Sequence, residues 1–300
     1  MLEGLYNLAT PWARANGMQI TKNRLLGLVA NYIYPLYCKT SKLRTISNNS
    51  LEVIVSLTSF PRRINQVHLC IQSILRQKRP ADKVILWLAS SQFPNDSCLP
   101  KELIKLIRYG LEIKYCKDIR SYKKIFYTAQ EYADKIIVTA DDDTLYPENW
   151  LSSLLNEHEQ YPDCVICHRA HLIQYINGGF APYSEWKGLS VGVKGPDINL
   201  IPIGVGGVLY PRNYFEDVVF DEKLITSICP TADDLWLKVI GFKKKIKVVK
   251  VAEDSKEWFT IRNSQEERLT DYNVGQNKND DEFKELVNYY KINANEFCNK

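Results

Sequence analysis

Residues 136–143 have the sequence IIVTADDD. Five apolar or β-branched residues in a row are typical of a short strand that is buried on both faces of a parallel sheet. Three consecutive carboxylates follow at its carboxyl end, which is where open α/β sheets bind their ligands. The segment therefore predicts a buried strand with an acidic ligand site directly after it.

The sequence on both sides of this segment repeats the same alternation of strand and helix. Similar apolar runs precede it at Val53–Leu57, Val84–Leu88 and Leu111–Cys116, and helical spacing of apolar residues separates them. The second half adds strands at Cys164–Cys167, a glycine-interrupted Ile201–Tyr210 and Ile246–Val251, with helices at about 147–159, from about 231 and at about 280–291. This order predicts an α/β fold in which helices flank a mostly parallel sheet.

Composition and charge exclude several classes of protein. The chain has 300 residues, of which 45% are hydrophobic and 25% charged, which excludes a disordered, fibrous or polytopic membrane protein. Eight cysteines without paired spacing predict reduced thiols in the cytoplasm. We predict three parts: a basic helical extension over 1–50, a single catalytic domain over 51–255, and a polar tail with a helix over 256–300.

The N-terminal extension holds most of the excess positive charge. Residues 1–50 carry six Lys or Arg and one Glu, so the remaining chain is close to neutral and no nucleic-acid partner is expected. Its apolar stretch Leu25–Cys38 is 14 residues long, shorter than the ~20 needed to span a bilayer. Two interpretations stay open: a helix packed on the main domain, or a peripheral anchor on the inner face of the plasma membrane.

The acidic cluster points to a cation. Adjacent carboxylates repel one another, and Mg²⁺ or Mn²⁺ typically uses one or two carboxylates together with substrate phosphates. A solvated turn that begins at Asp141 and is closed by Pro147 is the alternative.

Five segments in this order resemble bacterial nucleotide-sugar glycosyltransferases of the GT-A class, similar to glycosyltransferase family 2, which build capsule and lipopolysaccharide sugars. The segments are VIVSLTSFPRR from Val53, SYKKI from Ser121, IIVTADDDTLYPENWL from Ile136, GVGGVLYP from Gly204 and TADDLWL from Thr231. The resemblance covers residues 51–252 and implies a GT-A-like fold. It also implies that Asp141 and Asp143 hold a metal ion bound to the donor diphosphate, and that Asp142 contacts the donor.

The resemblance implies further donor contacts, and each has a structural alternative. It places Thr58, Ser59 and Arg62 against the nucleoside, although this loop is equally an ordinary turn. From the Tyr122-Lys123-Lys124 element it favours Lys123 for the phosphates, and the alternative is a solvated helix start. It also places Gly206 and Gly207 beside the donor sugar, where a structural bulge explains the glycines equally well.

Asp233 and Asp234 form a second acidic site. The resemblance implies that the second acid of this pair is the general base of an inverting transferase, with Asp233 in the place of the usual Glu. A capping box with Thr231 as N-cap is the structural alternative. At a helix start, the dipole favours the ionised form of Asp234.

The resulting hypothesis is a metal-dependent, inverting transfer of a sugar from a nucleotide-diphosphate donor to a hydroxyl of a growing surface glycan or a lipid-linked glycan. A nucleotidyltransferase and a non-catalytic sugar- or nucleotide-binding protein of the same fold are the alternatives. A loop rich in Gly, Tyr and Trp is predicted at about 176–196. The aromatic residues in and next to it could stack on the acceptor or pack within the fold; they are Tyr175, Phe180, Tyr183 and Trp186.

Overall fold

The computed structural model describes residues 1–11, 14–43, 45, 52–264 and 278–298. The polar stretch 45–50, at the end of the predicted extension, lies outside the described residues except for Thr45. Residues 265–277 of the predicted tail also lie outside the described residues.

The strands and helices follow the predicted alternation through the first half of the chain. In chain order, the described strands are β1 (Val53–Thr58), β2 (Lys83–Ala89), β3 (Leu111–Cys116), β4 (Ile136–Thr139), β5 (Val165–Cys167), β6 (Ala170–Leu172), β7 (Tyr175–Ile176), β8 (Gly179–Phe180), β9 (Leu200–Pro202), β10 (Val208–Tyr210) and β11 (Val248–Lys250). The described helices are α1 (Leu2–Leu8), α2 (Gly17–Thr40), α3 (Val67–Leu75), α4 (Lys101–Ile104), α5 (Lys123–Glu131), α6 (Trp150–Gln160), α7 (Glu222–Ile228), α8 (Asp233–Lys243) and α9 (Lys278–Tyr290).

Within these ranges, seven strands form one sheet in the order β11-β5-β10-β4-β1-β2-β3. Strand β1 lies between β4 and β2, with Val55 opposite both Val84 and Val138, and both pairings are parallel. Strand β10 is antiparallel to both of its neighbours. Helices cover the sheet, so the predicted α/β class with a mostly parallel sheet is confirmed.

The prediction of one glycine-interrupted strand over Ile201–Tyr210 is wrong. The chain forms two strands that belong to different sheets: β9 pairs with β6, whereas β10 lies between β4 and β5. The break falls at Gly206 and Gly207, whose φ angles of +98° and +89° are incompatible with a continuous strand.

Both ends of the chain pack on the sheet. Tyr6 and Tyr34 of the N-terminal helices are buried in the same cluster as Trp258, on one side of the sheet. Phe283 and Leu286 of α9 are buried in the cluster on the other side. Thus α2 packs on the main body, as the first interpretation of the extension predicted. Among the described helices, none combines the length and the apolarity that crossing a membrane requires.

Candidate functional site

The candidate site lies at the end of the main sheet where the parallel strands have their carboxyl termini, and we call this end the carboxyl edge. Strands β1 and β4 are parallel, so Ser59 and Asp141–Asp143 leave the sheet at the same edge. Strand β10 is antiparallel and pairs Val208 with Thr139, so the loop before β10 reaches this edge from the opposite direction. The topology therefore brings three chain segments with polar residues or glycines together at the carboxyl ends of the parallel strands, as the switch-point rule predicts.

Asp142 faces inward and anchors this edge. Its carboxylate accepts hydrogen bonds from Ser59 Oγ at 2.6 Å and from Arg63 at 2.7 Å. Burial raises the pKa of Asp142, and Arg63 and Ser59 only partly offset that rise. Both oxygens of Asp142 accept hydrogen bonds within the protein, so Asp142 and Ser59 brace the two chain segments against each other. Their contacts with the donor stay predictions.

Arg63, in the loop after β1, reaches the acidic cluster. Arg63 contacts Asp143 at 3.0 Å in addition to Asp142, whereas Arg62 is exposed. Thr58, the other predicted nucleoside contact, donates its hydroxyl to the carbonyl oxygen of Trp87 at 2.9 Å. The loop after β1 thus supplies the Arg63 guanidinium to the cluster. The nucleoside contacts of Thr58 and Arg62 stay predictions.

Lys124 joins the two acidic sites. Its ammonium lies 3.0 Å from Asp141 Oδ1 and 3.5 Å from Asp233 Oδ2, and these partners raise its pKa against the effect of burial. Lys123, the predicted phosphate contact, pairs at 2.7 Å with Asp118, which lies outside this cluster. The lysine in contact with both acidic sites is therefore Lys124.

Asp234 lies close to the same network. Its Oδ2 accepts a hydrogen bond from the backbone N–H of Gly204 at 3.1 Å. A Cβ added to Gly204 would lie 3.4 Å from Asp141 Oδ1 and 3.5 Å from the Lys124 ammonium, which places this glycine against both groups. Burial, and then the adjacent Asp233, raise the pKa of Asp234 to about 7. The helix dipole was expected to keep this group ionised, but desolvation and the like charge outweigh it.

The predicted cap at Thr231 is not present. Helix α8 begins after Ala232 without a side-chain cap, and Thr231 Oγ1 instead donates to the buried Glu282 at 2.6 Å. Glu282 also accepts from the backbone N–H of Ala232 at 3.0 Å. This carboxylate comes from α9, almost fifty residues further along the chain, and it fixes the start of α8. An acid on the apolar side of an amphipathic helix was the only sequence signal for it.

Gly206 and Gly207 allow two tryptophan rings to pack closely against the backbone. A Cβ on Gly206 would meet the ring of Trp258 at 2.7 Å, and one on Gly207 would meet the ring of Trp150 at 2.6 Å. Packing against the two tryptophans accounts for these glycines, and they mark a break between two strands rather than the bulge offered as the alternative. Their place beside the donor sugar stays a prediction. Gly204 is the glycine of this loop that lies against the acidic groups.

The aromatic side chains of the 176–196 region and its edge are used mainly for packing. Trp186 is buried, and its ring meets Phe283 edge to face at 5.1 Å between centroids. Phe180 contacts the same ring at 5.2 Å. These contacts explain the aromatics without an acceptor.

The residues at this edge fit a divalent cation held by two carboxylates. The Asp141 and Asp143 side chains keep 23% and 13% of their surface exposed, whereas Asp142 between them is turned inward. No group of three or more candidate ligand side chains converges within the described ranges. Two carboxylates are nevertheless enough for Mg²⁺ or Mn²⁺ when substrate phosphates supply the other oxygens.

Comparisons with known proteins show distant likenesses to solved structures. No protein-family model and no curated protein matches the chain. A mannosyltransferase from Pyrobaculum calidifontis, solved with GDP-mannose and Mn²⁺, is similar with a TM-score of 0.47 and 10% identity, over 99% of this chain and 84% of that one. Residues 1–349 of S. aureus TarS are similar with a TM-score of 0.46 and 11% identity, over 68% of this chain and 59% of that one.

A third likeness is to a 4-diphosphocytidyl-2C-methyl-D-erythritol synthase, with a TM-score of 0.42 and 11% identity, over 76% of this chain and 98% of that one. At such low identities these likenesses assign no activity to this chain.

Proposed function

We propose that this chain is a metal-dependent, inverting glycosyltransferase that uses a nucleotide-diphosphate sugar as its donor. The observation that supports this most is the position of Asp234. Its carboxylate has a pKa raised to about 7 and accepts the N–H of Gly204, which lies against the Asp141–Lys124 pair. A general base works best when its pKa is close to the operating pH.

Asp234 is the proposed general base. It takes the proton of the acceptor hydroxyl as the hydroxyl oxygen forms a bond to the anomeric carbon of the donor. The bond from that carbon to the diphosphate oxygen breaks, and the electron pair leaves with the nucleoside diphosphate. One displacement from the opposite face inverts the anomeric centre.

Asp233 is assigned a supporting role. Its Oδ2 lies 3.5 Å from the Lys124 ammonium, so Asp233 is held in an ion pair. The contact described above for Asp234 is a hydrogen bond from the neutral N–H of Gly204. Asp233 also holds the pKa of Asp234 up by its negative charge. Of the two acids, Asp234 is thus the better base.

The donor diphosphate is assigned to the exposed side of Asp141 and Asp143. These two side chains would hold Mn²⁺ or Mg²⁺, which supplies positive charge to the leaving diphosphate. Arg63 and Lys124, which now neutralise the acids at 3.0 Å, become available to phosphate oxygens.

The acceptor is proposed to be a hydroxyl of a growing surface glycan, such as a capsule or lipopolysaccharide chain, or of a lipid-linked glycan. We place the reaction in the cytoplasm, where the thiols stay reduced. All eight cysteines are free, and Cys70, Cys167 and Cys229 are buried.

The test is a transfer assay with a panel of UDP- and GDP-sugars and Mn²⁺. We expect release of nucleoside diphosphate and a loss of about 10²–10⁴-fold in turnover for Asp234→Asn. Asp134→Asn, at a carboxylate whose side chain is 70% exposed, is the matched control and should keep full activity. Near-normal turnover by Asp234→Asn rejects the base assignment.

The same assay and a parallel reaction separate the alternatives. The parallel reaction, with a nucleoside triphosphate and a phosphorylated alcohol, tests the nucleotidyltransferase, which would release pyrophosphate as the nucleotidyl group moves to the acceptor phosphate. Donor binding without turnover in either reaction identifies a binding protein. Metal dependence has its own readout, because Mn²⁺ should raise the melting temperature of the wild type and not that of Asp143→Asn. Equal donor affinity with and without chelator contradicts the metal proposal.

A further inference from the structure

Helix α2 has an apolar outer face. Leu25, Leu28, Tyr32 and Leu36 on this helix are exposed by 61%, 49%, 62% and 62%. Met18 and Ile33 are also exposed, by 83% and 46%. At about 100° per residue, these six side chains fall within an arc of about 140°. We call this arc the outer face of α2.

The inner face of the same helix already accounts for its packing. Asn23, Ala30 and Tyr34 are buried, and Tyr34 belongs to the core cluster beneath α2. A helix that packs through one side normally presents polar residues on the other. The apolar character of the outer face is therefore not explained by folding of the described chain.

The exposed apolar residues are concentrated rather than scattered. The described residues include eleven large hydrophobic side chains that are exposed, and six of them lie on the outer face. Single exposed hydrophobic residues are normal, but a contiguous group rimmed by polar residues marks an interaction surface.

The charges around this face select its partner. Helix α2 contains Lys22, Arg24 and Lys39 and no acidic residue. Lys22 and Lys39 lie within the same arc, near its two ends. Arg262 adds a further cation, since it donates to the Tyr32 hydroxyl. A second copy of this face would bring cations against cations, whereas an anionic lipid surface complements them.

We propose that the outer face of α2 binds an anionic membrane surface. The apolar side chains enter the boundary between headgroups and acyl chains, and Tyr32 places its ring at the headgroup level. Lys22, Arg24 and Lys39 pair with lipid phosphates. The helix lies parallel to the membrane because its inner face stays packed on the domain.

The docked helix would hold the candidate site near the membrane. Asn31 of α2 donates to the carbonyl of Thr260 at 2.9 Å and accepts from the N–H of Arg262 at 2.7 Å. Ile261, between these two residues, donates its N–H to the carbonyl of Asp143 at 2.7 Å. One short segment therefore connects α2 to the acidic cluster. That this brings a lipid-linked acceptor within reach rests on the proposed function, whereas the docking itself does not.

The experiment is flotation of the full chain with vesicles made of equal parts phosphatidylglycerol and phosphatidylcholine. We expect binding at low salt that weakens in high salt and with pure phosphatidylcholine. The double variant Leu25→Ser/Leu36→Ser should bind about tenfold or more weakly, because two apolar side chains no longer enter the lipid. Its melting temperature should not fall, since both side chains are exposed.

The matched control is Ile107→Ser/Val219→Ser, which removes exposed hydrophobic residues from other surfaces and should leave binding unchanged. Absence of wild-type binding to the anionic vesicles overturns the proposal, as does equal binding by the α2 variant. A dimer that the α2 variant abolishes, without vesicle binding, assigns the face to a second copy. Asp234→Asn should still float with the vesicles, so failure of the proposed reaction and failure of docking are distinguishable.

Discussion

Replacing Asp234 by Asn should change the stability of the protein in a pH-dependent way. The side-chain oxygen of Asn can still accept the N–H of Gly204, which now lies 3.1 Å from Asp234 Oδ2. The shape of the residue is kept, and only its ability to ionise is lost. The variant therefore measures what the charge of Asp234 costs the folded state.

The sign follows from the direction of the pKa change. Burial and Asp233 raise the pKa of Asp234 from 3.8 to about 7, so the folded protein binds this proton more tightly than the unfolded chain does. The stabilising effect of the proton is fully present below pH of about 4 and is lost as the pH rises through about 7. Above that range, the ionised carboxylate destabilises the fold.

The magnitude follows from the same values. One pKa unit corresponds to about 1.4 kcal/mol, so the rise from 3.8 to about 7 corresponds to on the order of 4 kcal/mol at high pH. For a chain of this size, about 1 kcal/mol shifts the melting temperature by roughly 2–4 °C. We therefore expect Asp234→Asn to melt on the order of 10 °C higher than the wild type at pH 8.

The assay is thermal unfolding of both proteins at pH 4 and at pH 8, with Asp134→Asn as the exposed control. The advantage of Asp234→Asn should shrink strongly at pH 4, where the wild-type carboxyl is largely protonated. A variant that melts below the wild type at pH 8 would refute the reasoning. So would an advantage of equal size at both pH values.

Two further comparisons use neighbouring or equivalent residues as controls. Lys124→Met leaves two largely buried carboxylates without their cation and should cost about 3–5 kcal/mol in urea unfolding. Lys123→Met should cost only about 1 kcal/mol, because its partner side chain is 33% exposed, and equal losses would contradict the assignment of Lys124 to the cluster. Gly207→Ala should cost about 2–4 kcal/mol, since its φ is +89° and its Cβ would meet Trp150 at 2.6 Å. Gly188→Ala, where nothing lies within 4 Å, should change stability by less than about 0.5 kcal/mol, and similar effects at both glycines would argue against the packing role.

The local hydrophobic pattern of the sequence was sufficient to predict the strands and helices in the first half of the fold. The predicted strand Leu111–Cys116 has the observed bounds, and the strand predicted at Val53–Leu57 extends by one residue. Such short apolar runs between helical segments have few alternatives in a chain of this size. The break at Gly206 and Gly207 was missed because the same run is also compatible with one bulged strand.

Neighbouring residues in the candidate site could not be ranked from the sequence. Lys123 and Lys124 are about 100° apart around α5, and which of them faces the acids depends on how the helix packs through residues such as Tyr122. The choice between Arg62 and Arg63 depends in the same way on the path of the loop after β1. Both selections are made by packing and not by residue type.

Three features could be predicted from the amino-acid sequence alone: the alternation of strands and helices, the edge at which Asp141–Asp143 leave the sheet, and the presence of a second acidic pair. These follow from hydrophobic periodicity and from the rule that parallel strands end on one side. Three other features became evident only in the folded chain: Lys124 joins the two acidic sites, Glu282 fixes the start of α8, and α2 exposes an apolar face. Each of these depends on contacts between residues far apart in the chain or on the rotation of a helix about its axis. Neither is encoded in a local pattern, because many arrangements satisfy the same periodicity.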